Sequence, residues 1–105
     1  MSVTYNKLVR DRIPEIIRSS GRKCSTEILS DEEYLKRVDA KLDEELAEYH
    51  KDPNIEELAD LLEVIHAAAA ARGYTLADLE RVRAEKAAKR GGFEKRILLK
   101  EVYES

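Results

Sequence analysis

The chain has 105 residues, of which 39% are charged and 6% aromatic, and its 43% hydrophobic residues include twelve alanines. This composition is typical of an all-helical protein and excludes a β-sandwich or β-barrel, which need more β-branched and aromatic residues. The net charge of −3 disfavours a non-specific nucleic-acid binder, and the single cysteine excludes an internal disulfide or a cysteine-based zinc site. We therefore expect one small helical domain over residues 1–105.

Both ends of the chain and one connector lack helical patterning. Residues 1–12 are predicted to be extended, and Pro14 in a first turn predicts a short helix that ends at 19–21. Residues 24–29 form a connector with weak strand character, and residues 93–102 form an extended tail that could pair with the N-terminal segment. The sequence contains no basic-then-apolar leader and no apolar run of membrane-spanning length, so we expect a soluble, cytoplasmic protein.

Three longer helices are predicted between these segments. Their starts carry pairs with the spacing of a capping box: Ser30 and Glu33, Asn54 and Glu57, and Thr75 and Asp78. The first is expected to end at about Lys51, the second near Gly73, and the third at Gly91 and Gly92.

Acidic pairs flank the apolar faces of the first two long helices when each position advances by about 100°. On the first helix, Glu45 and Glu48 lie three residues apart beside an apolar stripe, whereas Glu44 points away and is expected to be solvated. The second helix carries an ordinary core stripe made of Ile55, Leu58, Leu62, Ile65 and Ala69. Its opposite face bears Glu57 and Asp60 among Val64, Ala67 and Ala71, so this helix is expected to be covered on both sides.

A short turn joins these two helices and makes them antiparallel neighbours, so four carboxylates are expected to converge. A divalent cation relieves their repulsion, and an all-oxygen set of ligands suits Mg²⁺ or Mn²⁺ better than zinc. Solvated or ion-paired glutamates are the competing interpretation in a chain with 22 acidic residues, and both stay open from the residues alone.

The third long helix aligns Arg83, Lys86 and Arg90 with Leu79 within about one-quarter turn. Phosphate binding is one interpretation, because the following glycines allow a close approach of the backbone to a ligand. The other is that cations favour the C-terminus of a helix and lay their stems over apolar surface.

Four segments together resemble one family. They are EELAE at 44–48, ELADLL at 57–62, the opening YNKLVRDRIP at 5–14 and the closing KRGGF at 89–93. The acidic segments are similar to the E-x-x-E … E-x-x-D signature of the MazG-type all-alpha NTP pyrophosphatases, a superfamily that includes phosphoribosyl-ATP pyrophosphohydrolase. The end motifs resemble a small house-cleaning branch of it.

The resemblance implies an all-α fold: a helical hairpin plus a third helix, forming a four-helix-bundle-like core that dimerisation completes. The assembly would be a homodimer or a higher homo-oligomer, and dimer and tetramer both stay open. The resemblance also implies Mg²⁺-dependent cleavage of a nucleoside triphosphate between the α and β phosphates, giving monophosphate and pyrophosphate. The metal ligands would then be Glu45, Glu48, Glu57 and Asp60. Lys86 and Arg90 would bind the phosphates, and Lys7, Arg10 or Arg12 would reach the same site from the N-terminal segment.

Three alternatives accompany this prediction. One is phosphoribosyl-ATP as the substrate, since the sequence specifies no base or sugar. Another is a non-catalytic helical module for dimerisation or partner binding, in which Lys and Arg side chains pair with the carboxylates. The last is a di-iron bundle suggested by Glu63 and His66, but that chemistry needs two such pairs and the chain has one.

Overall fold

The computed structural model describes residues 2–104, which contain four helices and no strand. The helices are α1 (Ile13–Ser19), α2 (Asp31–Lys51), α3 (Ile55–Ala71) and α4 (Leu76–Arg90). The predicted all-α class is confirmed, as are the short first helix and the non-helical segments at both ends. The weak strand character predicted for residues 24–29 and the suggested pairing of the tail are wrong, since neither segment is a strand.

The predicted caps explain where the three longer helices begin. The three capping bonds are Glu33 N to Ser30 Oγ at 3.2 Å, Glu57 N to Asn54 Oδ1 at 2.9 Å, and Asp78 N to Thr75 Oγ1 at 3.0 Å. In α4 the motif is reciprocal, because Asp78 also accepts from the Thr75 amide at 2.9 Å. Within residues 2–104 the other two caps use only the first bond, since Glu33 pairs with Arg37 and Glu57 joins an acidic cluster.

Helices α2 and α3 pack against each other as a hairpin. Asp52, Pro53 and Asn54 connect them, and Pro53 cannot continue α2 because it lacks an amide hydrogen. So short a connection makes the helices antiparallel, as the sequence predicts. Val38 on α2 is fully buried, and it is the one side chain buried to that degree among the described residues.

Helix α3 was expected to be covered on both faces, but the chain covers the face of Glu57 and Asp60 and leaves the larger side chains of the core stripe exposed. The four large side chains of the predicted core stripe are exposed, since Ile55, Leu58, Leu62 and Ile65 keep 78%, 44%, 51% and 37% of their surface, whereas Ala69 is half-buried. All five positions named for the opposite face are half-buried: Glu57, Asp60, Val64, Ala67 and Ala71. Leu61, His66, Ala68 and Ala69 of the same helix are half-buried as well. Small side chains let two backbones approach closely, so the alanine-rich face is the one that α2 covers, and the larger side chains point outward.

The chain divides into two compact units, one ending at Tyr74 and the other beginning at Thr75. The first contains α1 to α3. The second contains α4, which Gly91 ends with a φ of +81°, a conformation that favours glycine. Of the helices formed by residues 2–104, none combines the length and apolar character needed to cross a membrane.

Candidate metal centre

Three carboxylates from two helices meet beside the turn of the hairpin. Glu45 comes from α2, and Glu57 and Asp60 come from the first turns of α3. One carboxylate oxygen of each lies within 4.8 Å of the other two. The spacing of three residues places Glu57 and Asp60 on one face of α3, and the antiparallel hairpin brings Glu45 opposite them. All three are half-buried, and the Glu45 side chain keeps 14% of its surface.

The electrostatics of this cluster are unfavourable for negative charge. The pKa of Glu57 is raised, first by partial desolvation and then by the negative charges of Asp60, Glu48, Glu45 and Asp52. A raised pKa means that the ionised form of Glu57 is disfavoured where it stands. A bound cation would remove this penalty.

The donor set fits a small divalent cation. Mg²⁺ takes oxygen ligands at about 2.0–2.1 Å in an octahedron, so two oxygens on opposite sides of the ion lie about 4.2 Å apart. The three carboxylate oxygens already lie close to that limit, and small side-chain adjustments would bring them within it. The set contains no nitrogen or sulfur, which disfavours zinc and suits Mg²⁺ or Mn²⁺.

Glu48, the fourth predicted ligand, stands apart from this cluster. Its side chain is exposed, whereas the other three are half-buried. Its charge is still close enough to contribute to the raised pKa of Glu57. The structure therefore brings together three of the four predicted carboxylates and leaves Glu48 at the rim.

Two cations predicted from the N-terminal segment reach the hairpin. Arg10 Nη2 donates to Asp60 Oδ1 at 2.7 Å, and Lys7 Nζ donates to Glu44 Oε1 at 3.3 Å. Arg37 on α2 donates to the Asn6 carbonyl at 2.8 Å and so holds the same segment against the helix. Arg10 therefore contacts one of the four predicted carboxylates and Lys7 contacts the neighbouring Glu44, while their role towards phosphate stays a prediction.

Lys41 is a member of the site that the sequence interpretation missed. Its side chain keeps 16% of its surface, and its Nζ lies 3.1 Å from Glu44 Oε1 and 3.6 Å from Glu45 Oε1. Partial desolvation of Glu44 opposes its ionisation, but the hydrogen bonds and charges of Lys41 and Lys7 outweigh this and lower the pKa of Glu44. The spacing of Lys41, three and four residues before these glutamates, was the available signal. Glu44, which was expected to be solvated, keeps 36% of its side-chain surface and is also paired with Lys41 and Lys7.

The cations predicted on the third long helix belong to the second unit. Lys86 and Arg90 are exposed on α4, so their predicted role in phosphate binding stays a prediction. Arg83, which lines up with them, is bound to Glu80 by two hydrogen bonds of 2.8 and 2.6 Å. Arg83 is therefore paired with a carboxylate of its own helix.

Two further features lie outside the acidic cluster. Among residues 2–104, Glu63 and His66 join no group able to hold a metal, which gives the di-iron hypothesis no support. An open groove is lined by Asp31, Tyr34, Ala70, Ala71 and Gly73. Tyr34 precedes Glu45 by eleven residues, about 16 Å along α2, so the groove lies at the other end of the hairpin.

Comparison with known proteins finds a partial sequence relative but no matching family model or solved structure. No protein-family model and no solved structure matches the chain at a significant level. A protein of Mycolicibacterium smegmatis (strain ATCC 700084 / mc(2)155), described as uncharacterized, is 64% identical over 42 residues. That match covers 40% of this chain and 43% of the relative. The similarity is thus strong over these 42 residues, and more than half of each chain lies outside it.

Proposed function

We propose that the chain is a Mg²⁺-dependent nucleoside triphosphate pyrophosphohydrolase of the MazG type, which cleaves a (d)NTP or modified nucleotide to monophosphate and pyrophosphate. The observation that carries the proposal is the convergence of Glu45, Glu57 and Asp60 from two helices. These residues stand in the two acidic segments, EELAE and ELADLL, that resemble the signature of that superfamily.

In this proposal Glu45, Glu57 and Asp60 hold the cation, and Glu48 supplements them from the rim. Mg²⁺ bound there would polarise a phosphoryl oxygen and lower the pKa of the attacking water. Lys7 and Arg10 offer positive charge to the triphosphate from the N-terminal segment, and a guanidinium can bind two phosphate oxygens at once. Lys41 lies beside Glu44 and Glu45 on α2, and its single positive charge offsets part of the repulsion among the carboxylates when no substrate is bound.

Pyrophosphate release tests this function. The purified chain with Mg²⁺ is assayed against a panel of NTPs, dNTPs and modified nucleotides, and pyrophosphate and orthophosphate are quantified separately. We expect pyrophosphate release that EDTA abolishes. Glu57→Gln should lower the rate by about a hundredfold or more, because a lost metal ligand removes several kcal/mol of transition-state stabilisation.

Glu63→Gln is the matched control for that variant. Glu63 lies on α3 as well, is exposed, and stands outside the acidic cluster, so its rate should stay within about twofold of the unmodified chain. Full activity of Glu57→Gln would contradict the assignment of the ligands. Absence of pyrophosphate across the panel, with Mn²⁺ also tried, would make phosphoribosyl-ATP the next substrate to test.

A second function, a non-catalytic dimerisation or partner-binding module, is favoured by two observations. The stripe of Leu58, Leu62 and Ile65 is exposed, and the Asp60 carboxylate is paired with Arg10. In such a module added Mg²⁺ changes neither stability nor assembly, whereas the proposed enzyme requires Mg²⁺ for activity.

We infer that the enzyme also forms a homodimer through the stripe of Leu58, Leu62 and Ile65, and that it acts on the nucleotide pool of the cytoplasm.

A further inference from the structure

The N-terminal segment is tied to the hairpin mainly through charged side chains. Arg10 contacts Asp60 at 2.7 Å, Lys7 contacts Glu44 at 3.3 Å, and Arg37 holds the Asn6 carbonyl at 2.8 Å. Residues 2–12, the described part of this segment, contain no helix or strand. Fifty positions separate Arg10 from Asp60, so this ion pair joins two distant parts of the chain.

The Asp60 carboxylate is paired with Arg10 and would also contact a metal ion bound at the candidate centre. This carboxylate is one of the three that converge on the candidate metal centre, and its Oδ1 accepts the hydrogen bond from Arg10. A guanidinium at hydrogen-bond distance from a carboxylate would repel a divalent cation bound to the same carboxylate, because the two positive charges would stand within a few ångströms.

The Arg10 side chain can move away from its carboxylate partner more easily than the Lys41 side chain can. Lys41 is anchored on α2 and pairs with glutamates of its own helix, at a distance of 3.6 Å from Glu45. Arg10 lies on the non-helical segment, and its side chain keeps 57% of its surface. A half-exposed side chain on such a segment can leave its partner without disturbing the helices.

We propose that Arg10 is a built-in competitor of the metal ion: it is the counter-ion of Asp60, and a divalent cation entering the centre must displace it. The inference rests on the metal centre proposed above and concerns how that centre is regulated. The displaced guanidinium stays at the rim of the site, where it can pair with a phosphate group. Metal entry and the release of Arg10 are then one coupled event.

Binding of Mn²⁺ alone tests the competition without any activity measurement. Free Mn²⁺ is measured by electron paramagnetic resonance during titration of the full chain, after removal of endogenous metal and at low ionic strength. Arg10→Gln should bind Mn²⁺ about 1.5- to 5-fold more tightly than the matched control Arg12→Gln, which is the range expected for an exposed ion pair. Arg12 carries the same charge two positions away and is also exposed, so the comparison removes the general effect of one lost cation.

Whether Arg10→Gln binds Mn²⁺ more tightly or more weakly than Arg12→Gln decides whether Arg10 competes with the metal. Arg10→Gln that binds Mn²⁺ as weakly as Arg12→Gln, or more weakly, would overturn the competition and assign Arg10 no role or one in orienting Asp60. In that case the proposed metal centre would still be supported if the wild type binds Mn²⁺ and the Asp60→Asn variant does not. Absence of Mn²⁺ binding by the wild type and by both arginine variants would overturn the centre, and the competition with it.

Discussion

Glu57 is the residue whose ionisation the fold opposes most clearly. Its pKa is raised by partial desolvation and by the neighbouring carboxylates, so in the folded chain protonation is favoured. A raised folded-state pKa contributes stability that is fully present below the unfolded value, near 4.5, and is lost as the pH rises through the folded-state pKa. We therefore expect Glu57→Gln to be more stable than the wild type at neutral pH in EDTA, with the gain vanishing as the pH falls below 4.5.

Urea unfolding at a series of pH values measures this difference. Glu56→Gln is the control, because Glu56 is also in the first turn of α3 and loses the same favourable interaction with the helix dipole. If Glu57 is a metal ligand as we propose, saturating Mg²⁺ should reverse the order of stability, since the ion would bind the wild type more tightly than Glu57→Gln. A Glu57→Gln variant that is less stable than Glu56→Gln in EDTA at neutral pH would contradict the repulsion described above.

At the level of single residues, the sequence predicted the three carboxylates of the candidate site but not which cations pair with them. Glu45, Glu57 and Asp60 were found because a spacing of three residues, read on an amphipathic helix, places side chains on one face. The pairing of Arg10 with Asp60 spans fifty positions, and helical periodicity carries no information over that distance. The pairing of Glu44 with Lys7 was not predicted, because an angle on one helix carries no information about a residue on another segment.

At the scale of the elements, the caps control the local geometry of the site. Asn54 satisfies the amide of Glu57 at 2.9 Å and begins α3 so that Glu57, a member of the acidic cluster, lies in its first turn. We expect Asn54→Ala to lower the free energy of unfolding by about 1 kcal/mol, the usual cost of a lost N-cap, measured by urea denaturation. Asn54→Ser keeps a capping oxygen and should lose no more than a few tenths of a kcal/mol. Equal losses in both variants would show that the cap contributes nothing to α3.

The same caps explain why helix boundaries were predictable and helix faces were not. Ser30, Asn54 and Thr75 each act on amides within three residues, so their effect is readable from the local sequence. Hydrophobic periodicity identifies a stripe such as Leu58 and Leu62, but it does not tell which surface covers that stripe. Within this chain α2 covers the alanine-rich face, and the choice follows from packing between two helices rather than from either one alone.

At the scale of the whole molecule, the exposed stripe on α3 requires an explanation. Leu58, Leu62 and Ile65 form a continuous apolar row on a helix that is covered on its opposite face. An amphipathic helix gains stability by burying such a row, at about 1.5–3 kcal/mol for each large aliphatic side chain. Two hairpins that place these rows together would form a four-helix bundle, which is the dimer we propose.

Leu62 tests the dimer because it lies in the middle of this row. In a two-fold symmetric interface each substitution acts twice, so Leu62→Asp should weaken the dimer by at least about 3 kcal/mol, or more than a hundredfold. Sedimentation equilibrium should then find the variant monomeric at concentrations where the wild type is dimeric. Ile28→Asp is the control, since Ile28 is almost fully exposed on the connector before α2 and should leave assembly unchanged. A wild type that is monomeric at high micromolar concentration would contradict the dimer, and unchanged assembly of Leu62→Asp would place its interface elsewhere.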